Sequence, residues 1–144
     1  MFLLALSSTA YAQYSVFTGF WKGYLITDTS NIDNKKGLPV TVFISDDNNQ
    51  GEVAGEMSIQ YRYQTDVYKA KYMITGTYDE TMTSLLITQE KIVYYDLLPK
   101  GLQWCFGSGS FTLERNPYKK RYYLDGIMTT NCGDEQMRII LIKK

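Results

Sequence analysis

The 144-residue chain contains no histidine. That removes the usual general base at neutral pH and the commonest metal ligand. Ser-His-Asp and Cys-His catalysis are excluded by composition. Cysteine is nearly absent too: Cys105 and Cys132 stand alone and are not a C-x-x-C pair, so a redox dithiol is not indicated. Net charge is also missing. Fifteen Lys and Arg balance fifteen Asp and Glu, leaving no field to draw nucleic acid or an acidic membrane. No apolar run is long enough to cross a bilayer as a helix. There is no linker, no low-complexity block and no helical periodicity. What remains is one domain, large enough for a real core, whose aromatic content is dominated by 13 Tyr, a residue suited to strands.

The first twelve residues differ from the rest. Residues 1–6 are apolar, and Ala10-Tyr11-Ala12 before Gln13 fits a signal-peptidase site, although a basic n-region is missing. Residues 1–12 are therefore expected to be a truncated signal peptide, with 13–144 as the folded domain. An apolar N-terminal strand is the alternative. Export would place the two cysteines in an oxidising compartment.

From 17 to 27 the residues alternate between two faces. Phe17, Gly19, Trp21, Gly23 and Leu25 share one; Thr18, Phe20, Lys22, Tyr24 and Ile26 share the other. A period of two predicts a strand. Further strands are predicted over 39–44, 52–62, 67–78, 84–95, 102–114, 121–130 and 136–142, joined by short polar turns. Gln89, Glu90 and Lys91 interrupt the fifth, where Glu90 and Lys91 mark a bulge or an inward polar group. About eight strands in order describe an all-β meander.

An apolar-x-Gly-x-apolar pattern recurs around Gly19, Gly55, Gly76 and Gly126, with Gly109 as a weaker copy. Glycine on a concave face lets a sheet coil sharply enough to close. The expected fold is a single up-and-down antiparallel β-barrel. A two-sheet sandwich with glycines at bulges is the alternative.

Thr18-Gly19-Phe20-Trp21 resembles the Gly-x-Trp start of the calycin barrels, the lipocalins and avidins, and the segment from Tyr72 through Gly76 to Asp79 is similar to an avidin strand. The resemblance implies a calycin-like barrel in which Trp21 plugs the closed end. Avidins place an Asn two positions after the Trp to hold biotin. Gly23 stands there in this chain, so the likeness extends to the barrel and not to biotin.

The cysteines test this register. If Cys105 faces Cys132 in a hairpin of the sixth and seventh strands, then Gly109 faces Met128, Phe111 faces Gly126 and Leu113 faces Leu124. All fall on the apolar face, so a disulfide agrees with the hydrophobic pattern. Up-and-down order gathers the loops 28–38, 62–66, 96–101 and 131–134 at one end. These are the longer, wetter loops, which makes that end the mouth. Leu25, Ile59, Tyr61 and Met128 lie beside it, and they either line a ligand cavity or simply fill the core.

Other constellations carry less. Asp46-x-Asn48-x-Gln50-Gly51 echoes a calcium loop, but Met57 stands where the closing Glu belongs. Asp28, Asn31 and Asp33 are ordinary for a polar loop. Lys119-Lys120-Arg121 beside Tyr122 and Tyr123 reads as a solvated turn. No metal, cofactor or catalytic residue is assigned. The expected function is that of a secreted or periplasmic bacterial binding protein, not an enzyme, holding a small apolar or amphipathic ligand. A protein–protein module (a protease inhibitor or a cell-surface assembly subunit) is the alternative. Parity places Trp104 outside with Phe20, Tyr24, Tyr123, Ile140 and Ile142, a candidate interface. An outer-membrane barrel, oily side outward, is a third possibility.

Overall fold

A computed structural model describes residues 15–26, 37–46, 50–133 and 136–144. The segment expected to be a signal peptide, 1–12, the expected cleavage junction, and Asp28, Asn31, Asp33 and Asn48 lie outside these. Eight strands follow one another: β1 (Gly19–Ile26), β2 (Leu38–Ser45), β3 (Glu52–Tyr63), β4 (Asp66–Tyr78), β5 (Ser84–Tyr95), β6 (Gly107–Asn116), β7 (Arg121–Thr130) and β8 (Gln136–Lys143). Each pairs antiparallel with the next, and β8 returns to β1 with Leu141 opposite Gly23. The sheet is therefore a closed up-and-down barrel and not a sandwich. Closure pairs the first strand with the last, so neither is left as a free edge.

The side-chain period dictates what fills it. In β2, Val40, Val42 and Ile44 are buried while Thr41 and Phe43 look out. Trp21, Val42, Met57 and Tyr72 form one inward row across β1 to β4, and all four are buried. On the outer face of β3 to β6 stand Glu56, Lys71, Thr75, Thr88, Ser108 and Ser110, so the oily side is turned inward. Among the described residues no helix is long and apolar enough to cross a membrane.

The glycines act in two ways. At Gly55 a Cβ would sit 1.8 Å from the Phe43 carbonyl oxygen, and at Gly76 it would sit 2.5 Å from that of Leu86. Neighbouring strands approach too closely there for any side chain, as a tightly coiled sheet requires. Gly19 is different. An added Cβ would meet nothing nearer than 3.7 Å, but its φ of +123° belongs to glycine. It swings the chain out of a turn at Ser15–Thr18 and into β1. Phe17 consequently lies outside the strand in which alternation had put it, fully buried, with its ring centroid 5.3 Å from that of Tyr78.

That turn and Trp21 fill one end of the barrel. The Trp21 indole N–H donates to the Phe17 carbonyl at 2.9 Å. Lys143 donates to the Val16 carbonyl at 2.6 Å with its ammonium 5.8 Å from the centroid of the Trp21 ring. Tyr78 donates to buried Asp46 at 2.7 Å. Asp46 is thus engaged inside the protein, where the sequence had offered it as the start of a calcium-like turn.

Two irregularities shape the other end. In β5 the register slips at Glu90 and again at Val93. The slip at Glu90 keeps Gln89 inside, lets Glu90 bulge out to accept from Thr75 at 2.7 Å, and returns Ile92 to the inner face. The second concerns β6, which begins at Gly107 and not near residue 102. Trp104 is therefore not on the outside of a strand. It is half-buried against the core, in the connecting segment.

Candidate ligand cavity

The mouth is built where β5 and β6 part. Their pairing stops at Thr88 opposite Ser108. Beyond that rung the bulges carry β5 away, and the backbone N–H of Gly107 donates instead to the Gln89 side-chain oxygen at 2.9 Å. The strap from 96 to 106 covers the gap. Its Pro99–Gly101 turn is closed by a Leu102 N–H bond to the Pro99 carbonyl at 3.1 Å.

Each end of the strap is anchored. At the start, the Asp96 carboxylate accepts from the Lys69 N–H and from the Tyr94 hydroxyl, both at 2.8 Å. These bonds hold its carboxyl below the usual carboxylate range, with the Tyr94 bond the larger cause. The Asp96 carbonyl accepts from the Trp104 indole at 2.9 Å, so the strap folds onto itself. At the far end, Cys105 is disulfide-bonded to Cys132, and the Cys105 carbonyl accepts from the Tyr72 hydroxyl at 2.8 Å. Burial pushes the Tyr72 phenol up to about 12, so it remains a donor at any ordinary pH. Asn131 then bonds both the N–H and the carbonyl of Phe106.

Beneath this strap lies a cavity of about 810 Å³. All four residues proposed from sequence line it: Leu25 and Met128 buried, Ile59 half-buried, and Tyr61 more exposed at the rim. The expected disulfide is present, and the Gly109–Met128, Phe111–Gly126 and Leu113–Leu124 pairs have the expected register. Sequence reasoning missed Tyr72, Gln89, Leu98, Leu102 and Trp104, which also line it. The available signal was Pro99-Lys100-Gly101. A turn that close to a predicted strand start implied a longer connection, and that connection is the lid.

The lining is more apolar than polar, with Gln60, Gln64, Gln89, Gln103 and Thr130 among its polar side chains. Among the described lining residues Arg62 is the one with a formal charge, and it is exposed at the rim. Among the described residues no carboxylate lines the cavity, and no group of metal-binding side chains exists. The arrangement can hold a molecule and exclude water from it. A second hollow of about 460 Å³ lies over β3 to β5, where Ser45, Ala54, Thr75 and Thr88 give it a shallow, wet lining. The chain matches no family model, no curated protein and no solved structure.

Proposed function

We propose that the barrel is an extracytoplasmic, non-enzymatic carrier that takes up a small apolar or amphipathic molecule under the 96–106 strap. The observation that carries this reading is the cavity itself. About 810 Å³ of largely apolar space is more than one small molecule needs, and it opens at a single end of a barrel plugged at the other. The disulfide supports an oxidising compartment, as does the signal-like start. The inward-facing apolar residues favour a barrel in water over one in lipid. Gly19-Phe20-Trp21, with Trp21 buried at the closed end, supports a calycin-like relationship.

Native mass spectrometry of protein purified from its own source tests this. A small-molecule adduct that organic extraction removes is expected, together with displacement of the neutral dye N-phenyl-naphthylamine by apolar compounds. Protein that carries nothing and never takes up the dye would contradict the carrier reading.

One observation favours a second reading, a protein-binding module. The outer face of β8, β1 and β2 is unusually apolar. Ile140 sits opposite Tyr24, and Phe20 is 62% exposed with its ring 4.8 Å from that of Phe43. Trp104, once placed in this group, is not part of it. Phe20→Ser should release a protein partner while leaving dye uptake unchanged.

A further inference from the structure

Gln89 is 6% exposed, yet it lines the cavity. Its orientation is fixed by its partner. The backbone N–H of Gly107 can only donate, so the group 2.9 Å from it must be the amide oxygen. The amide nitrogen therefore faces the other way. Its one contact is the Met57 sulfur at 3.4 Å, a weak acceptor. An amide carries two N–H groups, and burying one without a good acceptor is costly. Gln89 lines the cavity, so a bound molecule can supply the acceptor that the protein does not.

Charge limits what that acceptor can be. Among the described lining residues the one charged side chain, Arg62, is at the exposed rim. A carboxylate pushed to the floor would be desolvated beside Tyr72 and Met128, where no cation stands among the described lining residues. A neutral carbonyl would not suffer that penalty. Tyr72 does not compete for it, because its hydroxyl already donates to Cys105. We infer that the cavity selects apolar molecules bearing a neutral carbonyl, of ketone, ester or amide type, which enters first and accepts from the inward N–H of Gln89. This rests on the reading of the cavity as a ligand site and adds the class of ligand it takes.

Three probes of matched chain length separate the possibilities: methyl nonyl ketone, undecane and undecanoate, each competed against N-phenyl-naphthylamine. The ketone should bind about fivefold tighter than undecane, the size of one net neutral hydrogen bond. Gln89→Leu should bring that ratio to about one while undecane binding persists. The carbonyl stretch of bound ketone gives a readout that needs no variant: it should lie below its value in hydrocarbon solvent. Equal binding of ketone and undecane, or an unshifted stretch, overturns the acceptor assignment while leaving the carrier reading intact. Undecanoate binding as tightly as the ketone and weakened by Gln89→Leu overturns the neutral class. If none of the three displaces the dye, it is the carrier reading that fails.

Discussion

Tyr72 reaches from β4 to donate its hydroxyl to the carbonyl of Cys105, 2.8 Å away and 33 residues later in the chain. The bond ties the cavity floor to the strap that roofs it. Tyr72→Phe keeps the ring and its edge-on contact with Phe106 but loses the bond. A loss of about 1 kcal/mol in urea unfolding at neutral pH is expected. The alkaline side gives a second signature. The phenol titrates near 12 in the fold against about 10 unfolded, so its stabilising contribution is whole below pH 10 and disappears as pH rises from 10 to 12. The variant should lack that part of the alkaline loss, while the part from Tyr78 and Tyr94, also raised, persists.

The disulfide closes the same corner with a sequence separation of 27. In the chain-entropy model such a loop is worth about 3–4 kcal/mol. The double variant Cys105→Ser, Cys132→Ser should lose about that much in denaturant, and should weaken dye binding by freeing the strap. A midpoint unchanged within error would mean that Asn131 and Tyr72 alone define the corner.

Most of the barrel was legible because its signals are local and mutually consistent. Alternation through Val53, Met57 and Ile59 needs no tertiary knowledge, and the Cys105–Cys132 parity checked the β6–β7 register before any coordinate did. What escaped was long-range. Alternation cannot know that Gly19 adopts a positive φ, so Phe17 was left in the strand when it turns under the barrel. Nor can it distinguish a strand from an extended strap, so Trp104 was put outside. The strap is extended because it is anchored at Asp96 and Cys105, not because it is laddered to a neighbour. Gln89 stands in the sequence as one of three polar interruptions of the fifth strand; its meaning depends on where β5 leaves β6, which no single strand encodes.

Acid should loosen the strap at its Asp96 end. That carboxyl is held below its ordinary range by the Tyr94 and Lys69 bonds, so its contribution is present above the unfolded value of about 4 and is lost as pH falls through the lower folded value. Trp104 emission should therefore be flat from neutral pH to about 4 and move to longer wavelength below it. Asp96→Asn should show the loosened emission at neutral pH and no further acid step from this group. An acid transition of the same size in the variant would assign the step to another carboxylate held low, Asp79 among the Thr81 and Thr83 hydroxyls or Asp125 beside Arg138.

Gly126 offers the sharpest test of why glycine recurs on the inner face. It pairs with Phe111 across β6 and β7, and an added Cβ would fall 2.5 Å from the ring carbon Cδ1 and 2.6 Å from the Ser110 carbonyl oxygen. The ring lies over the glycine, fills the space a side chain would take, and is itself fully buried. Gly126→Ala must then move the ring, the backbone, or both, at a cost of about 1–3 kcal/mol. Phe111→Leu alone leaves a cavity and is also destabilising. In the double variant the smaller Leu relieves the ring clash, and the added methyl fills part of the void. The combined loss should therefore be less than the sum of the two, by about 1 kcal/mol. The carbonyl contact remains, so recovery should stop short of complete. Strictly additive losses would show that the backbone approach alone demands glycine here, as it does at Gly55, and that the ring is merely a neighbour.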